Sequence, residues 1–188
     1  MSAATTAFTR FVERQQSPDE TGPDFYITQR EEWLSWLNQL HSHVEAFLKE
    51  YIERGEIEVI YNPVELVEDD IGTYVANQMT LRIGRKRVTL DPVGTLLIGS
   101  KGRVDVRGPA GSGQLLLVNE VHKGASDMIK FRVHIHKEGE KLPSAPLHEE
   151  NVPPVAWAWR ILSRDAKFRF CELTKESFFD LLMEVANA

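Results

Sequence analysis

Carboxylate and imidazole side chains occur at strand spacing in the second half of the chain. His134 and His136 lie two residues apart, so a strand places both imidazoles on the same side. Asp105 and Glu120 lie in two earlier segments that also read as strands. Imidazole nitrogens and carboxylate oxygens are common protein ligands of divalent metals, so each pair is a candidate metal site.

The string His134-x-His136-x-x-x-Glu140 resembles the metal-binding motif of the cupins. The resemblance implies a metal bound by these three side chains, with a later histidine such as His148 as a further ligand. It covers only these few residues, and the flanking glycines of the cupin pattern are missing from this sequence.

The residues Gly-Arg-Val-Asp105, followed by Leu-Leu-Val-Asn-Glu120-Val-His122, resemble the core of the PD-(D/E)xK nucleases. The resemblance implies that Asp105 and Glu120 bind a divalent metal that positions the attacking water. His122 stands where the family has a lysine, and Asn119 interrupts the apolar approach to Glu120.

Neither pair is expected to be a working site. Lys130 and Arg132 share the predicted strand face of the two histidines, and their charges disfavour a metal cation there. We therefore expect no catalytic residue, no metal and no cofactor. The alternative is a metal-dependent enzyme, nuclease-like at Asp105 and Glu120 or metal-binding at His134 and His136.

Basic side chains are concentrated in the same part of the chain. Residues 77–137 contain 11 Lys and Arg but only 4 Asp and Glu, whereas residues 1–76 contain 5 and 15. Six basic residues occupy alternate positions on separate predicted strands, so their side chains can emerge on one sheet face: Arg82, Arg87, Arg103, Arg107, Lys130 and Arg132. The predicted turn residues Arg85, Lys86 and Lys101 extend this face at its ends.

A face of this kind predicts an anionic partner, because arginine makes forked hydrogen bonds to carboxylate and phosphate. The face lacks interleaved aromatic residues for base stacking, and the chain has a net charge of −6. An acidic protein partner is therefore favoured over nucleic acid. In the other interpretation, the acidic segments of the chain itself cover the basic one.

The hydrophobic period predicts the elements that carry these residues. Apolar residues recur every three or four positions from Trp33 to Tyr51, which predicts a long helix with a capping box at Thr28 and Glu31 and an end at Gly55. A period of two, with glycine turns between, predicts strands around residues 57–61, 79–83, 88–90, 103–107, 115–118, 129–135, 155–162 and 167–173. Residues 65–72 are expected to form an acidic turn, residues 138–154 an irregular mobile loop, and residues 175–186 a closing helix capped by Thr174.

These elements predict an α+β fold, in which an antiparallel β-meander sheet is packed by a long N-terminal helix and a short C-terminal helix. One sheet face is expected to be packed and the other largely wet. The expected core contains Trp36, Leu40, Phe47, Trp157, Trp159, Phe179 and Leu182. Residues 1–24 are expected to be a flexible arm, and residues 25–188 a single domain.

The composition indicates where such a chain would work. Its 188 residues, 42% of them hydrophobic, suffice for one sizeable core. The single cysteine, Cys171, excludes a disulfide within the chain and fits a reducing compartment. No apolar run approaches the roughly 20 residues of a membrane helix, and the N-terminus lacks the features of a secretory signal. We therefore expect a cytoplasmic protein without membrane contact, and the sequence leaves its oligomeric state open.

Overall fold

A long N-terminal helix, α1, spans Pro23–Glu53. The computed structural model describes residues 23–69, 71–95, 99–124, 156–163 and 169–187. The predicted capping box was wrong, because α1 begins at Pro23 and both Thr28 and Glu31 lie inside the helix. Proline fits the first turn of a helix, where a missing N–H removes no intrahelical bond. The buried side chains of α1 recur at spacings of three and four: Trp33, Leu37, Leu40, Val44 and Leu48.

The predicted end of this helix at Gly55 is confirmed. Gly55 has a φ of 70°, and its N–H donates to the carbonyl of Ile52 at 2.9 Å. The N–H of Glu56 donates to the carbonyl of Tyr51, also at 2.9 Å. This pair of bonds is a Schellman motif, in which glycine adopts the left-handed conformation without a Cβ penalty.

In the part of the chain that the structure describes, seven antiparallel strands follow, and their order in the sheet is their order in the chain. Their bounds are β1 Ile57–Glu68, β2 Gly72–Ile83, β3 Lys86–Gly94, β4 Ser100–Gly108, β5 Gly111–Asn119, β6 Trp157–Leu162 and β7 Phe170–Glu172. A short helix, α2, closes the chain at Lys175–Ala186. The predicted α+β fold, with its antiparallel sheet and two helices, is confirmed.

The first hairpin is longer than its sequence pattern predicts. Residues 65–68, expected to be a turn, continue β1, which pairs with β2 from Ile57 opposite Ile83 to Glu68 opposite Gly72. Pro63 fits this strand because β1 is an edge strand of the sheet, where a missing N–H need not interrupt a ladder. The strand expected at 129–135 and the loop expected at 138–154 lie outside the described residues.

The core lies between the sheet and the two helices. Of the predicted core residues, Leu40, Trp159 and Leu182 are buried. The other four pack against the core but are only partly buried: Trp36, Phe47, Trp157 and Phe179. The central aromatic positions are taken instead by Trp33 and Phe178, which are almost fully buried.

Both helices approach the sheet where it carries glycine. A Cβ on Gly102 would overlap the indole ring of Trp33 from α1. On the same face of the sheet, a Cβ on Gly108 would overlap the Val185 carbonyl of α2, and one on Gly113 would overlap Leu181. The N-terminus of α2 is fixed by the predicted cap, since the Thr174 hydroxyl accepts from the N–H of Ser177 at 3.2 Å.

The second face of the sheet is less wet than expected. Leu115 to Val118 are all buried, as predicted for a strand covered on both faces. Leu116 and Val118 lie on the face opposite the helices, because side chains alternate along β5. Asp105 is also buried, at 7% exposure, and it lies on this same face.

Candidate anion-binding face

Four of the six predicted basic residues lie on one face of the sheet. Arg82 of β2 is the direct cross-strand partner of Arg87 of β3. Thr89, two residues after Arg87, is opposite Arg107 of β4, and Arg103 follows on the same side of β4. We call these four residues the arginine face. Lys130 and Arg132, the other two predicted members, lie outside the described residues.

Two members of the arginine face are held by carboxylates of the sheet itself. The Arg103 guanidinium donates to both oxygens of Asp105, at 2.6 and 3.0 Å. Arg107 donates to Asp105 Oδ2 at 3.1 Å, and its Nε lies 3.5 Å from Asp91 Oδ2. A nearly buried carboxylate between two guanidinium groups is satisfied, so Asp105 has little capacity left for another cation.

The arginines at the end of the face near the β2–β3 turn are paired with fewer carboxylates. Arg82 donates to Glu58 of β1 at 2.8 Å, and both side chains are about half exposed. Arg87 is exposed and, within the described residues, makes no ion pair. Two like charges directly opposite each other on a sheet destabilise it. The described structure therefore leaves one arginine pair, Arg82 and Arg87, with a single carboxylate.

The three predicted turn residues have separate roles. Lys86 donates to the carbonyl of Ala186 at 2.6 Å and so satisfies a terminal carbonyl of α2. Lys101 pairs with Glu32 of α1 at 2.7 Å and lies 5.2 Å from the ring centroid of Trp157. Arg85 is exposed in the turn and, among the described residues, has no carboxylate partner. Only Arg85 therefore extends the unneutralised end of the face.

The strand register places the two nuclease-like carboxylates at different heights along neighbouring strands. Asp105 of β4 is opposite Gln114 of β5. Glu120 follows six residues later along the chain, which separates the two backbones by about 20 Å along the strand direction. Asp105 and Glu120 therefore cannot share one metal ion. The cupin-like residues His134, His136, Glu140 and His148 lie outside the described part of the chain.

Among the described residues, no three His, Cys, Asp or Glu side chains lie close enough together to hold a metal ion. Cys171 is exposed on β7.

A buried polar network, which the sequence pattern did not reveal, joins the first hairpin to β3 and α1. Glu68 is buried at 7% exposure and accepts from the Tyr74 hydroxyl. Its Oε2 accepts from the N–H and the hydroxyl of Thr95, both at 2.8 Å. Gln29 of α1 donates to the Thr95 hydroxyl at 3.2 Å. Burial and the bond to Glu68 raise the pKa of Tyr74, so the phenol remains a proton donor.

Comparison of the chain with protein-family models, with curated proteins and with solved structures gave no match. Over the described residues, neither helix combines the length and the apolar character that crossing a membrane requires.

Proposed function

We propose that the protein is a non-catalytic interaction domain that recognises an acidic segment of a protein partner. The contact surface is the end of the arginine face that contains Arg82 and Arg87, with Arg85 beside it. The observation that carries the proposal is the direct opposition of Arg82 and Arg87 across two strands, with Glu58 as the one carboxylate that pairs with them among the described residues. An anion bound there would relieve the repulsion between them.

The surrounding charges favour separate carboxylates over a nucleic-acid backbone. Glu58 lies beside Arg82, and Asp91 and Asp105 lie beside Arg107, so acidic and basic groups alternate over the face. A continuous row of phosphates would meet these carboxylates and be repelled. A peptide with spaced Asp or Glu side chains can align each carboxylate with a guanidinium and form forked hydrogen bonds.

A labelled peptide in which glutamate alternates with uncharged residues provides a defined probe. Fluorescence anisotropy should show binding to the wild-type chain that weakens as salt is raised from about 50 to about 300 mM, because the contacts are exposed. Arg87→Glu should weaken binding by at least about tenfold at low salt, since it turns an attractive contact into a repulsive one.

Lys49→Glu is the matched control for that substitution. Lys49 is 73% exposed on α1, and replacing it changes the net charge by the same amount as Arg87→Glu does. The control should retain wild-type affinity. Equal losses in both variants would reduce the effect to net charge alone, and unchanged binding in Arg87→Glu would remove the arginine face from the account.

A further inference from the structure

A predominantly apolar cavity of about 370 Å³ lies where the C-terminal end of α1 meets α2 and the adjoining ends of β1 and β2. The strands contribute Ile57 and its direct cross-strand partner Ile83. Tyr51 of α1 and both Phe179 and Met183 of α2 also line the cavity. The volume is at the lower end of the range for small-molecule sites, which are mostly apolar with a few placed polar groups.

The apolar lining of this cavity is accessible to solvent. Tyr51, Ile83 and Phe179 are partly exposed, and Met183 is 54% exposed. Ile57 lies deeper, at 7% exposure. An apolar ligand that covered the exposed parts of these side chains would remove them from water, which is favourable. The cavity therefore suits a ligand whose larger part is apolar.

The ammonium group of Lys86 supplies a positive charge at the cavity. Lys86 is a partly exposed lining residue, and its Nζ donates to the carbonyl of Ala186 at 2.6 Å. An ammonium group has three donors, so this bond leaves two of them for a ligand. Within the described residues, no carboxylate lies within ion-pair distance of Lys86. The bond to the carbonyl thus holds the ammonium in place without neutralising it.

The other charged residue of the lining is already paired. Glu56 lies at the cavity, but its two carboxylate oxygens accept from the guanidinium group of Arg54, each at 2.9 Å. The carbonyl end of α2 carries roughly half a negative charge, which offsets only part of the charge of Lys86. The charge that remains at the cavity is positive, and it favours a ligand with an anionic head group.

We propose that this cavity binds an aliphatic monocarboxylate of about ten carbons. A water molecule takes up about 30 Å³ in the liquid, so the cavity has room for about a dozen non-hydrogen atoms, the size of decanoate. The carboxylate accepts from the Lys86 ammonium, and the chain lies against Ile83, Phe179 and the adaptable side chain of Met183.

This site is separate from the proposed partner surface. Lys86 shares the helix-facing side of β3 with Val88 and Leu90, whereas Arg87 lies on the opposite side of that strand. None of the residues that line the cavity belongs to the arginine face. Either proposal can therefore fail without the other.

Decanoate is the probe, and two compounds test its parts: decylammonium, with the same chain and the opposite charge, and butyrate, with the same head group and a short chain. Methyl NMR of the full chain should show shifts at Ile83 and Met183 with decanoate below about 1 mM. Decylammonium should bind at least about tenfold more weakly because Lys86 repels it. Butyrate should bind at least about thirtyfold more weakly because it buries less chain.

Lys86→Met removes the charge and keeps the length of the side chain. It should weaken decanoate binding by about tenfold and abolish the preference for decanoate over decylammonium. Lys49→Met is the matched control, since Lys49 is 73% exposed on α1 and does not line this cavity. The control should bind all three compounds as the wild type does.

Met183→Glu provides a second test that leaves Lys86 and its bond to α2 in place. Its carboxylate would lie in the lining, at a position that is already exposed, and should weaken decanoate binding by at least about tenfold. Val121→Glu, at a position that is 71% exposed and outside the lining, should bind decanoate normally. The proposal is overturned if decanoate shifts neither methyl group, if Lys86→Met keeps wild-type preference, or if Met183→Glu binds decanoate as tightly as Val121→Glu.

Discussion

His41 is a buried, titratable residue of α1 whose ring lies near β1. It is 3% exposed, its Nε2 has no hydrogen-bond partner within the described residues, and its ring is 5.3 Å from that of Tyr61. Burial lowers its pKa to about 4, and nearby Glu45 only partly opposes this. The Tyr61 hydroxyl also donates to Glu45, at 2.7 Å. The folded protein therefore holds His41 neutral at pH values where the unfolded chain is protonated.

The consequence is a loss of stability in mild acid. The unfolded pKa of His41 is 6.5 and the folded pKa is lower, so the unfolded state binds the proton first as the pH falls. The contribution of neutral His41 to the free energy of unfolding is complete above about pH 6.5, and it is lost between that pH and about pH 4. His41→Leu should reduce the fall in unfolding free energy between about pH 7 and pH 4.5 by about 2 kcal/mol.

Urea unfolding at several pH values measures this difference. His43→Leu is the control, because His43 is exposed on the same helix. It should leave the pH dependence at its wild-type slope. A His41→Leu protein with the wild-type slope would contradict the neutral, buried histidine.

Two tyrosine–glutamate pairs show how burial sets the value of a hydrogen bond. Tyr74 donates to Glu68 in the buried network, whereas Tyr61 donates to Glu45 at the surface. Tyr74→Phe should cost about 2 kcal/mol, because it removes a hydrogen bond to a buried carboxylate. Tyr61→Phe should cost less than about 1 kcal/mol, since water can replace the lost bond. Denaturant unfolding of both variants tests this order, and equal losses would contradict it.

At the scale of elements, two glycines determine how closely α2 approaches the sheet. A Cβ on Gly108 would meet the backbone carbonyl of Val185, whereas one on Gly113 would meet the flexible end of the Leu181 side chain. A side chain can change rotamer, but a helix backbone must move as a unit. Gly108→Ala should therefore cost about 2–3 kcal/mol in unfolding free energy and Gly113→Ala about 1 kcal/mol. The reverse order would show that α2 is not held by this contact.

The β2–β3 hairpin should become more stable when its like-charge pair is removed. Arg87→Glu places opposite charges across the strands, because Arg82 is the direct partner. We expect a gain of about 0.5 kcal/mol in thermal or urea unfolding. A gain in stability together with a loss of peptide binding would show that Arg87 is present for recognition. Clear destabilisation would instead mean that Arg87 stabilises the fold.

The period of two predicted most of the strands, because each has one face against the helices. It failed at residues 65–68, where Glu65, Val67 and Glu68 read as an acidic turn. Glu68 is inside the protein because Tyr74 and Thr95 donate to it, and Thr95 lies 27 residues further along the chain. A pattern of neighbouring residues does not contain that information.

The hydrophobic pattern also could not show which tryptophan of α1 is buried in the centre of the core. Trp33 and Trp36 both fit the apolar stripe of α1, and Trp33 is the buried one because Gly102 leaves space for its ring on β4. The packing of a helix against a particular glycine depends on the docking of two elements. The candidate site was predicted in the same partial way, since alternation placed Arg82, Arg87, Arg103 and Arg107 on one face. Asp105 neutralises two of them from its position between them on the same strand, whereas the pairing of Arg82 with Glu58 depends on the cross-strand register.

At the scale of the whole molecule, folding brings only some residues of the basic segment into contact with residues of the acidic segment. Glu32 of α1 pairs with Lys101, and Glu58 of β1 pairs with Arg82, so acidic residues near the N-terminus do contact the basic segment. The shortest ion pair among the described residues, between Arg103 and Asp105, lies within the basic segment itself. Among the described residues, Arg85 and Arg87 have no carboxylate partner, and the proposed function depends on these two side chains.

The most direct test is a reversal of partner charge. The wild-type chain should bind the glutamate-containing peptide and not a matched lysine-containing peptide, while Arg82→Glu/Arg87→Glu should bind the lysine peptide and not the glutamate peptide. Anisotropy titrations at about 50 mM salt, where screening is weak, measure all four combinations. Exchange of preference in the double variant is the predicted result. A double variant that keeps the wild-type preference, or a wild type that binds neither peptide, would contradict recognition of an acidic partner by this face.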